Sequence, residues 1–447
     1  MSPPVQSSAA AAGSPALRSF EAQWFARVAD PLSALRERAM ERFLKLGLPT
    51  MRDESWRYTN LRKLSAQSYV DAPRAPSGVV RPTAQLTLLG EDERAATVLM
   101  VNGFPVLPQR MDLSVNGIDI NSLQEISRTD RALVSRLLEP LAEEEIARFR
   151  LLNTALFVDG LYLKVNTRVE TPLVILHLAT ADQPGTVAHS RVIIESAPGS
   201  SATIIEHHVQ QGAETPLCNS ASLITLAPQS QIEHYRVFAT DERTTHLDSL
   251  EIRQQRDSRC RQFTIAVGGG LTRCSLEAHL AEPGAELDSY SLLVGHEERH
   301  VDCVNVVRHG AKRTTSRQTA RAIAGGTSRV IINSKVIVDA GASGSDSRQS
   351  CRGLLLSPTA EIDSRPQLEI HTDEVKCSHG ATTGRLDPGM LFYMLSRGLD
   401  RETAQSLLIY AFLADVLTGM TVPSARNAIE NALIPQLPDS QVLRKFR

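Results

Sequence analysis

Between residues 151 and 386 short β-type apolar runs alternate with turn phrases, and helical periodicity all but disappears. The runs include LVILHLAT (173–180), SATIIEHHV (201–209), SLITLAP (222–228), RQFTIAVGGG (261–270) and RVIINSKVIV (329–338). A phrase recurs among them: APGSSATI at 197–204, APQSQIEH at 227–234, EPGAELDS at 282–289 and SPTAEIDS at 357–364, with DAGASGSD at 339–346 a weaker copy. Pro198 and Pro228 are 30 residues apart, Pro228 and Pro283 are 55, and Pro283 and Pro358 are 75. The first two intervals point to a unit near 28–30 residues and the third does not fit it, so the repeat is degenerate. A tight turn followed by a strand is the unit of a β-helix, in which each turn buries the apolar face of the next.

The flanks carry a different period. Residues 20–150 read as a mainly helical N-terminal domain. Trp24, Phe25, Val28, Leu32, Leu35, Met40, Phe43 and Leu44 recur at helical spacing, and Asp30-Pro31 divides two helices. LTLLG and TVLMVNGFPVL add short strands around Gly90 and Gly103, and 122–150 is helical again. Residues 1–19, rich in Ala, Ser and Pro, read as a disordered leader. Residues 387–447 read as a C-terminal helical domain, with Asp400 capping a helix through Leu417 and a second helix after Pro423. The expected class is therefore mainly β, a solenoid core with helical domains at both ends.

Composition narrows the function. The 447 residues carry a net charge of −2 and only 4% aromatics. That balance leaves no electrostatic footprint for nucleic acid or an anionic membrane. The six cysteines form no C-x-x-C pair, which fits a reducing cytoplasm better than a disulfide framework. No secretory signal is apparent, and the apolar run at 407–417 is far short of the ~20 residues that span a bilayer. There is no phosphate-cradling G-x-x-x-x-G-K-[ST] and no G-x-S-x-G elbow; Gly268-Gly269-Gly270 reads as a turn. The expectation is a binding protein rather than an enzyme.

The densest ligand-like stretch is HTDEVKCSHG, 371–380. If extended, it places His371, Asp373, Val375, Cys377 and His379 on one face, with Cys377 and His379 ~6.5–7 Å apart along the strand. Thiolate and imidazole suit iron or zinc. Two ligands do not complete a site, so a partner chain or a transient cluster has to supply the rest. The same spacing also fits a buried free cysteine beside a turn histidine at Gly380. His207 and His208 face opposite ways in a strand, and they, His234 and His246 read as core or solvated histidines. Cys260, Cys274, Cys303 and Cys351 read as small buried apolar residues. On the C-terminal helix, Ala404, Leu407, Leu408, Ala411 and Asp415 share a face, and Phe412 adjoins it. That face fits either packing on the end of the solenoid or docking of a partner helix.

The stretch SRQSCRGLLLSPTAEIDSRPQLEIHTDEVKCSHGATTGRLDPGMLFYMLSRGLDRETAQSLLIYAF, 347–412, closely resembles the SufB/SufD family through LLLS, P-x-LEI, D-x-V-x-CSHGAT, LFY and SRG. LLNTALFVDGLYLKVNT, from Leu151, and the β-rich middle are similar to the family more weakly. GLPTMRDESWRYTNLRKL, 47–64, resembles the SufD branch, as does the total length. The resemblance implies a right-handed parallel β-helix between helical domains and a role as scaffold in iron–sulfur cluster assembly. It implies pairing with SufB through the β-helices and binding of the SufC ATPase by the C-terminal helices. For the site, it assigns cluster assembly to His379, with Cys377 assisting. Iron or an iron–sulfur cluster would be held there only transiently at the SufB interface, and no cofactor would be permanently bound. It places the SufC contact among Leu391, Phe392, Tyr393, Leu407, Leu408, Ala411 and Phe412. A homodimer of the isolated chain stays open, as does the alternative of a SufB-like chain that itself receives sulfur and holds a cluster.

Overall fold

A computed structural model describes residues 13–74, 88–90, 93, 94, 96–107, 113–139, 148–180, 183–212, 214 and 216–434. From Leu161 to Gly384 the chain winds into a parallel β-solenoid of about seven turns. Each turn contributes one strand to an eleven-stranded sheet and one to a ten-stranded sheet. Strands beginning at Thr186, Leu217, Thr245, Leu271, His300, Arg329 and Glu361 stack in parallel register on the first sheet. Those beginning at Ser201, Gln231, Arg259, Glu286, Thr315, Ser345 and Val375 stack on the second. Between the sheets lies an aliphatic core that includes Ile194, Ile204, Ile224, Ile232, Ile252, Leu276, Leu287, Val307 and Val336.

The turns explain why the repeat is legible and why it slips. Gly199, Gln229, Asp257, Gly284, Arg313 and Gly344 occupy equivalent turn positions, all with φ between 52° and 77°. The amide of each donates to a carbonyl of the next turn, from Gly199 to Pro228 (3.1 Å) through Gly344 to Glu374 (2.6 Å). Glycine adopts this left-handed conformation freely, whereas Gln, Asp and Arg accept some strain. Pro-Gly therefore spells the turn only at Pro198-Gly199 and Pro283-Gly284; the other rungs carry it as Pro228-Gln229, Arg256-Asp257, Lys312-Arg313 and Ser343-Gly344. Pro358 lies in the opposite corner, between strands Ser345–Leu355 and Glu361–Ile370, which is why its interval breaks the period.

The N-terminal region is not a separate helical body. Strand Ala96–Val101 pairs in parallel with Leu173–Thr180, and Ile118–Ser122 pairs antiparallel with Leu161–Val165, so both sheets continue into it. Helix Arg148–Leu156 is buried along its whole length against the solenoid flank. There Arg150 pairs with Glu251 (3.0 Å) and Glu277 (2.8 Å). The first helix begins at Pro15, capped by the Ser14 hydroxyl, inside the stretch expected to be a disordered leader. Leu17 and Phe20 are buried against Phe43 and Tyr69, so part of that leader belongs to the fold. Residues 1–12 of it lie outside the described residues, as do 435–447 of the expected C-terminal domain. Leu88–Gly90, the described part of LTLLG, forms a bend rather than a strand. Among the described residues no helix is long and apolar enough to cross a membrane.

Helices Pro388–Ser396, Arg401–Leu417 and Pro423–Leu433 follow the last turn. The second packs on strands Glu286–Gly295 and Thr315–Ala324. The helices therefore lie along the outer face of the ten-stranded sheet, and the packing expected on the solenoid's end is corrected: it falls on the flank. Ile409, Leu413, Val416 and Leu417 meet Val237, Ile265, Leu292 and Ile323 there. Arg321 reaches Asp415 across the contact (2.5 Å). The buried helix face is thus rotated from the one expected. Leu407, Leu408 and Phe412 are only partly buried, and Ala411 is exposed.

Candidate functional site

Among the described residues nothing covers the C-terminal end of the solenoid. Glu361–Ile370 and Val375–Gly384 are the terminal strands of the two sheets, so each leaves one row of backbone groups without a sheet partner. Nearly every residue of these strands is exposed or half-buried, whereas equivalent positions one turn earlier are mostly buried.

Register decides where the CSHG residues point. Ser347 pairs with Cys377, Gln349 with His379 and Cys351 with Ala381. Ser347, Gln349 and Cys351 are the inward, buried positions of their strand. Cys377 and His379 therefore take the inward column of the final turn, where no further turn covers them. They share a face, as the alternation predicts. Cys377 is half-buried against the aliphatic core, as are Leu368 and Val375, and His379 is exposed. The thiol is thus half-buried, where the alternative reading had it fully buried. Burial pushes the Cys377 thiol up, and Asp346 adds to the rise; a backbone hydrogen bond at Ser347 opposes them. His371 and Asp373, expected on the same face, precede the strand, which begins at Val375. His371 instead sits 3.0 Å from Glu369.

Behind His379 runs a polar stack that sequence reasoning passed over. His234, Gln262, Ser289, Gln318, Gln349 and His379 are successive register partners through the interior. Ser334, from the facing sheet, donates to Gln318 (2.7 Å) and accepts from Gln349 (2.9 Å). Ser289 donates to Gln262 (3.3 Å). The signal was present as polar residues repeating at the turn interval inside otherwise apolar strands.

The remaining cysteines are buried. Burial drives Cys218 and Cys351 up to about 12 and raises Cys260, Cys274 and Cys303 as well. They are poor nucleophiles in this state. A thiol and an imidazole at an open edge provide two donors of a site whose other ligands come from outside the chain.

A second exposed feature adjoins this edge. Helix Pro388–Ser396, capped by Asp387, buries none of its residues, and Phe392 and Tyr393 are 72% and 61% exposed. Leu391 lines a cavity of about 400 Å³ with Leu355, Pro358, Leu386, Gln405 and Ile409.

Comparison with known proteins places this architecture. Residues 177–412 match the family described as "SUF system FeS cluster assembly, SufBD core domain", and residues 18–175 match "SufBD protein N-terminal region". The chain is 27% identical to the iron–sulfur cluster assembly protein SufD of Escherichia coli, over 89% of this chain and 92% of that one. It is 23% identical to SufD of Bacillus subtilis, over 90% and 93%, and 23% identical to protein ABCI7, chloroplastic, of Arabidopsis thaliana, over 90% and 85%. With both family regions matched in order across the solenoid and its N-terminal cap, the chain belongs to the SufBD family of iron–sulfur cluster assembly proteins.

Proposed function

We propose that this chain is the SufD-type scaffold subunit of a cytoplasmic Suf complex, acting by binding rather than as an enzyme. Its last turn joins SufB, continuing the two sheets across the subunit boundary, and its C-terminal helices bind the SufC ATPase. His379, assisted by Cys377, helps form a nascent cluster at the SufB boundary, holding iron or cluster only transiently. The observation that carries the reading is the uncapped last turn: two free strand edges with Cys377 and His379 on its inward column. Strand addition to such an edge is a familiar mode of association. The exposed Phe392 and Tyr393 support the helical contact, since a helix that buries none of its side chains has an apolar face left to cover.

The alternative of a SufB-like chain that receives sulfur itself is disfavoured by the burial of every cysteine except Cys377. Co-expression of the tagged chain with SufB and SufC from its own organism, followed by native mass measurement, tests the proposal. A stable complex containing all three supports it; recovery of this chain alone beside soluble, folded partners overturns it.

A further inference from the structure

Near its N-terminal end the solenoid interior is charged rather than apolar. Strand Ser201–Gln211 turns Glu206 and His208 inward, Gln231–Phe238 supplies His234 and Arg236, and Thr245–Gln254 supplies His246 and Asp248. His177 joins them from Leu173–Thr180, and all are buried. The sequence signal is an i, i+2 pair in each of three strands: E-x-H, H-x-R and H-x-D.

His208 is at the centre. Its ring stacks on His177 (4.2 Å between centroids) and on Phe238 (4.8 Å), and it meets the edge of His246 at 4.8 Å. The donor atoms of His208, His246 and Asp248 lie within 4.8 Å of one another. His208 Nε2 and His246 Nδ1 are buried without a hydrogen-bond partner. Such an orphaned buried group is unfavourable unless something binds it. His246 Nε2 is 3.1 Å from Ser220 Oγ, which donates to Asp248 Oδ1 (2.6 Å). A proton on Nε2 leaves Nδ1 presenting its lone pair, the arrangement that metal-bound histidines use.

One further observation points to a cation. His208, His246 and Cys218 line a cavity of about 20 Å³, room for one ion or water. Asp248 pairs with Arg236, and Glu206 is hydrogen-bonded by both His177 and His234.

We propose that His208, His246 and Asp248 bind one divalent transition-metal ion. Two imidazoles with one carboxylate suit zinc or iron(II) better than calcium or magnesium. A tetrahedral ion needs its donors roughly 3.3–3.5 Å apart, so modest side-chain rotation closes the site. The ion would pin together the first turns of the solenoid, at the opposite end from His379.

Cobalt(II) titrated into the purified, metal-stripped full-length chain tests this. The expected result is one cobalt per chain, the visible bands of tetrahedral cobalt and a raised thermal midpoint. His208→Gln and His246→Gln should each weaken binding at least tenfold, while the double variant Cys377→Ser/His379→Ala keeps it. Absence of cobalt binding overturns the proposal. So does a signal lost with Cys377 and His379 but retained without His208 and His246. If the glutamine variants do not fold, anomalous diffraction from wild-type crystals grown with cobalt decides: a peak bonded to His208 Nε2 and His246 Nδ1 supports the site, and none there overturns it.

Discussion

Gln349 and His379 are register partners on the last two turns of the ten-stranded sheet, yet Gln349 is buried and His379 is exposed. The same column changes from interior to surface because the solenoid stops. Covering that edge with another protein would return His379 to an interior position, between Gln349 and whatever the partner supplies. His379→Ala should therefore leave folding and complex formation unchanged and lower cluster assembly by about tenfold or more. The check is cluster formation by the purified complex under anaerobic conditions, followed by its visible spectrum. Normal assembly by the variant would remove His379 from the mechanism.

The C-terminal helices offer a contrast between packing and recognition. Leu413 is fully buried against the sheet, whereas Phe392 is largely exposed. Leu413→Ala should destabilise the chain by about 2–5 kcal/mol through loss of apolar contact and the cavity left behind. Phe392→Ala should change stability by no more than about 0.5 kcal/mol and weaken SufC binding. Urea unfolding and binding measured on the same two proteins would separate the effects.

Arg150 anchors the helix Arg148–Leu156 to two buried carboxylates, Glu251 and Glu277. Replacing it with Met removes one cation from each carboxylate, Glu251 keeping Arg253 (2.6 Å), and should cost about 3–5 kcal/mol. Equilibrium denaturation measures this; a loss below 1 kcal/mol would mean that water reaches the carboxylates.

The left-handed turn column predicts a conformational penalty without a steric one. Gly199 has φ 69° and open space where a Cβ would stand. Gly199→Ala should therefore destabilise by about 1–2 kcal/mol from backbone strain alone. Thermal unfolding provides the reading, and an unchanged midpoint would show that this corner relaxes.

Buried histidines set the acid limit. Burial lowers His189 from 6.5 to about 3 and His309 from 6.5 to about 4. In the unfolded chain they take up protons below about pH 6.5, and in the fold they do not. Unfolding is then favoured by proton uptake, so their contribution is complete above pH 6.5 and is lost as pH falls toward 4 and 3. Thermal midpoints recorded from neutral to acid pH should decline through this window; a level profile would contradict the neutral, buried state of these rings.

The solenoid, its approximate repeat and the shared face of Cys377 and His379 were legible along the chain. Strand alternation and turn residues are local properties, set by steric limits on the backbone and the two-residue period of a strand. The Asp400 cap was equally local: its side chain accepts from the Thr403 amide at 2.8 Å. Tertiary structure alone decided which column is interior, where the solenoid ends and which face of the last long helix is buried. Leu408 and Leu413 are both leucines in one helix, and only the neighbouring sheet distinguishes them. His177, His208, His234 and His246 were likewise unremarkable along the chain. They converge because parallel register brings residues tens of positions apart into adjacent turns, and burial then turns ordinary polar side chains into a charged interior.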